Sequence, residues 1–278
     1  MSAVHTPAVM TPAVARPALK VTQGRVLRSE LTKFRSLRST IYTLLTAVVL
    51  MIGLGAIFSA VAASQYPTFS AIERAVFNPV MTSLSGVMFA VVAFGVLGVL
   101  VTGGEYGTGM IRSSLTAVPR RLPVLWGKLA VFAGVIFPVS LIASFISFFL
   151  GQVLLNSQHI GVSITASGAL RSVIGAALYI TVAGMIGVTL GALFRNTAAG
   201  IATFASVFFV IPPLVNLLPY SVSSHLTPYL PSNAAAALWG GAQSVPNALA
   251  PWTGFALLCG YAAVLIAAAA WRLRRSDA

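Results

Sequence analysis

Six stretches of this chain, at residues 41–63, 80–102, 129–155, 173–194, 198–218 and 252–271, contain no Asp, Glu, Lys or Arg. Each is about as long as the roughly 20 residues that a helix needs to cross some 30 Å of hydrocarbon. Few folds can absorb six such runs. A soluble domain is about one-quarter charged residues, whereas here 58% of the residues are hydrophobic and 8% are charged. A surface so poor in charge aggregates in water unless lipid covers it. The expected fold class is therefore all-α: a polytopic membrane protein with six transmembrane helices, a first interfacial helix ahead of them and a short cytoplasmic helix between spans two and three.

The charges that remain are lopsided, 17 Lys and Arg against 4 Asp and Glu. In a soluble chain a net +13 suggests nucleic acid, but no basic face interleaved with stacking aromatics is present. In a membrane protein it sets topology, because Lys and Arg concentrate in cytoplasmic loops. Every Lys and Arg except Arg74 and Arg171 falls on one side of the six runs. Both termini are thus expected in the cytoplasm. The first run is longer than the apolar core of a signal peptide and follows some forty residues of chain, so it reads as an anchor, although Ala60 and Ala62 resemble a cleavage site. Residues 1–20, with Pro7, Pro12 and Pro17, have no apolar period and are expected to form a disordered cytoplasmic tail; residues 21–278 are expected to be the membrane domain.

Sources of energy can be read from what the spans contain. A proton-coupled transporter keeps an Asp, Glu or His within the membrane. Glu30, Glu73, Glu105 and Asp277 fall at span edges or in loops, and His159 and His225 in external loops. A sodium site made of backbone carbonyls would leave no such trace. Gly127-Lys128 is followed by Leu129 and lacks the upstream glycine of a phosphate loop, so no ATP site is expected on this chain. Nor does the sequence hold metal-ligand spacing, and its single Cys259 allows no disulfide framework. The chain is not expected to be an enzyme.

Two segments on the cytoplasmic side can receive work from another subunit. In residues 21–38, Leu27, Leu31 and Phe34 recur at helical spacing with Arg25, Arg28 and Arg35 on other faces, the pattern of an amphipathic helix lying along the inner leaflet. In residues 103–128 a short helix is predicted over 108–118. Thr108 would cap its start, Pro119 would end it, and Ile111, Leu115 and Val118 would share one face with Arg112 nearby. That stripe either meets a partner or packs on the protein's own inner face. Glu105 is expected to bond Arg120 or Arg121 and so fix the angle of the loop.

These stretches also carry a resemblance. LRSELTKFRSLRSTIYTLL at 27–45, GEYGTGMIRSSLTAVPRRLPVLWGK at 104–128 and YLPSNAAAAL at 229–238 resemble, in order, the lead-in, the second loop and the last pre-span segment of type-2 ABC exporter permeases of the kind found in high-GC Gram-positive bacteria. The resemblance implies a permease subunit of an ATP-driven exporter in the bacterial plasma membrane. It also implies a coupling helix at 108–118 docked on a separate ATP-binding subunit, ATP on that partner alone, and a homodimer or heterodimer of permease chains. The competing class is a non-transporting membrane anchor or assembly protein that binds a cytoplasmic partner.

The remaining signals concern packing. Gly86, Gly95 and Gly98, and Gly175, Gly184, Gly187 and Gly191, allow close helix approach or line a pathway. Pro138 is expected to kink span three, and Pro212-Pro213 to break span five. Residues 219–247 carry no Lys, Arg, Asp or Glu and are expected to dip into the outer interface as short helices, with Ser232 or Asn233 as a cap.

Overall fold

A computed structural model describes residues 22–111, 122–240 and 247–275. Among them the chain is mostly helical, with no strand, and six helices are long and apolar enough to cross a membrane. The disordered tail expected at 1–20 lies outside the described residues.

The first helix, α1, is Gln23–Ser36, and Leu37 in extended backbone separates it from the first spanning helix, α2 (Arg38–Gln65). A hairpin of short helices follows, α3 (Ala71–Val76) and α4 (Pro79–Ser83). At the start of α3 the Ser70 hydroxyl accepts from the Glu73 N–H, and the Ser70 N–H donates to the Glu73 carboxylate at 2.7 Å. The backbone N–H of Ser70, and then its hydroxyl, hold the exposed Glu73 carboxyl below the ordinary carboxylate range. The second span is α5 (Val87–Gly107). It begins later than residue 80, because Asn78 caps and Pro79 opens the separate helix α4.

The third and fourth spans are α6 (Leu122–Leu155) and α7 (Ala169–Phe194). The fifth is built from α8 (Thr197–Ala205), one π-helical stretch (Ser206–Val210) and α9 (Ile211–Asn216). Pro212-Pro213 does not break this span. The Ile211 N–H reaches back five residues to the Ser206 carbonyl, and the two prolines occupy the first turn of α9, where no N–H is needed. The sixth span is α13 (Pro251–Arg275), reached through α10 (Tyr220–Leu226), α11 (Pro231–Ala234) and α12 (Ala236–Trp239).

Burial orders these helices around α7. In its most apolar window α7 is 83% buried, against 17–22% for α2, the fifth span and α13. The outer helices present Val49, Ile57, Val153 and Val264 outward, as residues that face hydrocarbon do. Glycine lets α5 and α7 touch backbone to backbone: a Cβ on Gly98 would strike the Gly184 carbonyl, and one on Gly187 the Gly95 carbonyl. Phe94, Phe132 and Phe204 fill the centre.

Polar groups inside the bundle pair with backbone. The Gln152 amide donates to the Pro79 carbonyl at 3.1 Å and the Ser83 hydroxyl at 2.8 Å, and its oxygen accepts from the Val162 N–H at 2.7 Å. Ser147 donates to the Ser83 carbonyl at 2.7 Å. α4 and the far end of α6 are thereby tied.

The described part of residues 219–247 is folded as short helices, as expected. It does more than rest on a surface. The Tyr179 hydroxyl donates to the Ser232 carbonyl at 3.2 Å, and Tyr179 lies about 15 Å along α7 from Ala169 at 1.5 Å per residue. Gly175 and Gly254 make room for this insertion, since a Cβ at either would strike the backbone of Leu238 or Ala234. Neither Ser232 nor Asn233 acts as a cap. Both lie inside α11, whose start is set by extended Leu230 followed by Pro231.

Candidate functional site

Only four acidic residues exist in the chain, and two of them, Glu30 and Glu105, are each 5% exposed at the same end of the bundle. An isolated buried carboxylate is costly. Two lysines meet them. Lys128, itself 3% exposed, lies 2.8 Å from Glu30 and 2.6 Å from Glu105. Lys33 lies 2.7 Å from Glu30 and 3.2 Å from Glu105. The four charges alternate and sum to zero. They come from three elements: Glu30 and Lys33 from α1, Glu105 from the end of α5, and Lys128 from the beginning of α6.

Local sequence explains the placement. Glu30 and Lys33 are three apart on one helix, so their side chains share a face. Phe34, Val101 and Val131 line a small gap beside Lys128 and the two carboxylates. Phe34 meets Phe132 edge-on with ring centroids 6.4 Å apart, and Val26 packs over Gly127. The Gln23 amide donates to the Pro123 carbonyl at 3.2 Å. The face of α1 turned to the bundle is therefore Val26, Glu30 and Phe34.

The stripe expected from spacing is Leu27, Leu31 and Phe34. Of these Phe34 is buried, Leu27 is half-buried and Leu31 is 37% exposed, while Arg25, Arg28 and Arg35 are exposed. The bundle takes Glu30 where a ranking by hydrophobicity selects leucine. Its carboxylate is matched by Lys128 from a distant part of the chain, and no local pattern encodes that match.

Burial by itself would pull the Lys33 pKa down. The hydrogen bond and charge of Glu30, and then the charge of Glu105, outweigh it and hold Lys33 above its ordinary value. The other oxygen of Glu105, Oε2, is buried with no partner among the described residues. A cavity of about 20 Å³ lies among Glu30, Lys33, Thr40, Glu105 and Lys128, which is room for one water.

Glu105 thus pairs with Lys33 and Lys128; the expected partners Arg120 and Arg121 lie outside the described residues, as do Arg112, Leu115 and Val118. Thr108 is exposed and closes α5, with its hydroxyl donating to the Gly104 carbonyl at 3.0 Å; most of the helix it was expected to cap lies outside the described residues. Gly109, at φ +72°, then turns the chain, and helical residues resume at Met110. Ile111 is 6% exposed. It meets Val124, Leu125 and Leu273 around a small gap, so its side chain packs on the protein's own helices.

Leu273 of α13 and Lys128 of α6 line that same gap, which places the end of α13, the α5–α6 connection and α1 at one end of the bundle. Among the described residues no three His, Cys, Asp or Glu side chains gather as a metal site.

Lys33 and Lys128 escaped the sequence reading as members of one site. The scarcity of carboxylates was the available signal: two acids assigned to the same side of the membrane, amid many cations, are bound to be paired. No family model matches the chain, and no curated protein matches it.

Proposed function

We propose that this chain is the membrane-spanning permease subunit of an ATP-driven exporter of the type-2 ABC class. In this reading it lies in a bacterial plasma membrane with both termini in the cytoplasm. It binds no ATP itself and works with a separate ATP-binding subunit and a second permease chain, identical or not. The α1 helix lies at the inner leaflet, its exposed arginines toward lipid phosphates. The segment 108–118 is the coupling helix, with Leu115, Val118 and Arg112 meeting the ATPase while Ile111 anchors it to the bundle.

The buried quartet of Glu30, Lys33, Glu105 and Lys128 is the observation that carries this proposal. Glu105 and Lys128 stand at the two stems of the α5–α6 connection, and Lys33 and Glu30 fasten α1 across both. A force applied to that connection from outside the membrane is passed to α5, α6 and α1 together rather than lost in a loose loop. A simple anchor has no need of so costly a junction.

The test is affinity purification of the tagged full chain from its native membranes in mild detergent. A Leu115→Asp/Val118→Asp variant is run in parallel, and monodispersity serves as the folding control. Wild type is expected to recover an ATP-binding subunit and the variant to lose it. Well-folded wild type that recovers no ATPase would move the assignment to a non-transporting membrane anchor.

A further inference from the structure

Three half-buried side chains from different helices converge where α5, α7 and α13 end: Tyr106, Arg195 and Arg272. We propose that they form a binding site for the phosphate of an anionic phospholipid in the cytoplasmic leaflet.

The joint between α7 and α8 fixes the first arginine. Arg195 closes α7 in left-handed backbone at φ +53°, with its N–H donating to the Gly191 carbonyl at 3.0 Å. The Asn196 side chain then accepts from the Ala199 N–H at 3.0 Å and starts α8 at once. The Arg195 guanidinium lies over the Tyr106 ring, 5.5 Å from its centroid. Leu273 lines a gap together with Tyr106 and Ala192, which brings the neighbouring Arg272 to the same place. The charges of Arg195 and Arg272 both act on the Tyr106 hydroxyl.

Two positive charges gathered at one phenol repel each other, and a shared anion relieves that repulsion. The chain has few acids to offer. Counted along the sequence, every acid but Glu73 and every Lys and Arg but Arg74 and Arg171 belongs to this end, so the basic residues outnumber the acids several-fold. Glu30 and Glu105 are themselves engaged by Lys33 and Lys128. Phosphate oxygens accept from guanidinium N–H groups and from a phenolic O–H, so all three side chains can serve one phosphodiester.

The surroundings select a lipid as the source of that phosphate. Trp271, next to Arg272, is 58% exposed and lies two helical turns beyond outward-facing Val264 on the same face of α13. The lipid-facing stripe of α13 thus runs up to the site. Arg275 lies over the Trp271 ring, 4.7 Å from its centroid, and Phe194, beside Arg195, is also exposed. Exposed aromatics next to arginines at the ends of spans mark the headgroup level of a bilayer. Acyl chains would follow the stripe while the phosphate meets the guanidiniums. An acidic protein surface would have to cover Trp271 and Phe194, which the membrane already does. The site draws nothing from α1 and requires no ATPase.

For the test, the purified full chain is delipidated in detergent, titrated with dioleoylphosphatidylglycerol or dioleoylphosphatidylcholine, and read by native mass spectrometry. One phosphatidylglycerol per chain is expected to bind at about tenfold lower concentration than phosphatidylcholine, a preference within reach of two arginines at a membrane surface. Arg195→Gln/Arg272→Gln should abolish that preference, with monodispersity as the folding control. Arg272→Gln alone, in the last turn of α13, should reduce it to about threefold. Arg274→Gln removes the same charge from an exposed position on the same turn and should leave it nearly intact.

Equal binding of the two lipids by wild type, or equal loss in Arg272→Gln and Arg274→Gln, would show diffuse attraction and overturn the assignment. Displacement of the bound lipid by millimolar inorganic phosphate would make this a site for a soluble anion instead. A preference retained by well-folded Arg195→Gln/Arg272→Gln would also overturn it, and would leave these arginines to an acidic protein partner.

Discussion

Lys128 reaches Glu105 at 2.6 Å across the ends of two different spanning helices, with both side chains withdrawn from solvent. The twenty-odd residues between them on the chain thus begin and end at one ion pair, to which Glu30 adds a second carboxylate at 2.8 Å from the same ammonium. Removing one partner from a buried pair strands the other's charge, at a cost of about 3–5 kcal/mol. Lys128→Met should therefore lower the thermal unfolding midpoint strongly in detergent. The double variant Glu30→Gln/Lys128→Met leaves Lys33 and Glu105 still opposed, and should recover a large part of the loss. A double-mutant cycle on purified protein checks this; additive losses would show that the two residues do not act together.

The close approach of α5 and α7 makes a different demand. Gly98→Ala would push a methyl into the Gly184 carbonyl, and overpacking of this kind typically costs about 1–3 kcal/mol. Gly134, on α6, has open space where its Cβ would be. Gly134→Ala is expected to be neutral or to stabilise by up to about 1 kcal/mol through helix propensity. Thermal midpoints of the two variants should move in opposite directions, or only the first should move.

Alkaline pH should loosen α1. Lys33 is held above its ordinary pKa of 10.5 because its partners in the folded state favour the charged form. A raised pKa contributes stability that is fully present below the unfolded value and is lost as pH climbs through the folded one. The unfolding midpoint should accordingly be flat up to about pH 10 and then decline. Lys33→Arg keeps its charge to higher pH and should delay the decline. Identical profiles for the two proteins would assign the transition to another group.

The sidedness read from Lys and Arg can be measured directly. In a Cys259→Ala background, Ser36→Cys and Thr68→Cys place single exposed thiols at opposite ends of α2. A membrane-impermeant maleimide should label Thr68→Cys in intact cells, and Ser36→Cys only after permeabilisation. The reverse pattern would invert the topology.

All six spans were legible because lipid demands one thing of a crossing segment, an unbroken apolar length, and the sequence displays it openly. Errors came where a boundary is set by long-range partners. Val80 reads as part of the second run, yet Gln152 and Ser147 of α6 take the carbonyls of Pro79 and Ser83 and hold a separate turn there. Pro212-Pro213 reads as a break, yet the π-helical turn before it supplies the missing slack. Thr108 has the chemistry of a cap for either direction, and only the position of Gly109 decides that it closes α5.

The same applies to α1. Its helical period was plain, but which face turns inward was decided by one carboxylate and its distant lysine. Residues 219–247 looked neutral and apolar, and their described part folds as the short helices expected. No local pattern reports the depth of its insertion, because that depth depends on two glycines, Gly175 and Gly254, in different helices.

The pairing pattern of the quartet has an electrical consequence. Were α1 to leave the bundle, it would carry away one carboxylate and one ammonium, Glu30 and Lys33, and leave behind one of each, Glu105 and Lys128. Neither part is left with surplus charge from the junction. A membrane potential acts on moved charge, at about 2.3 kcal/mol per elementary charge per 100 mV, and for this junction the moved charges cancel. Any displacement of α1 would therefore couple to voltage through its exposed Arg25, Arg28 and Arg35 and not through the junction, whose opposite charges cancel.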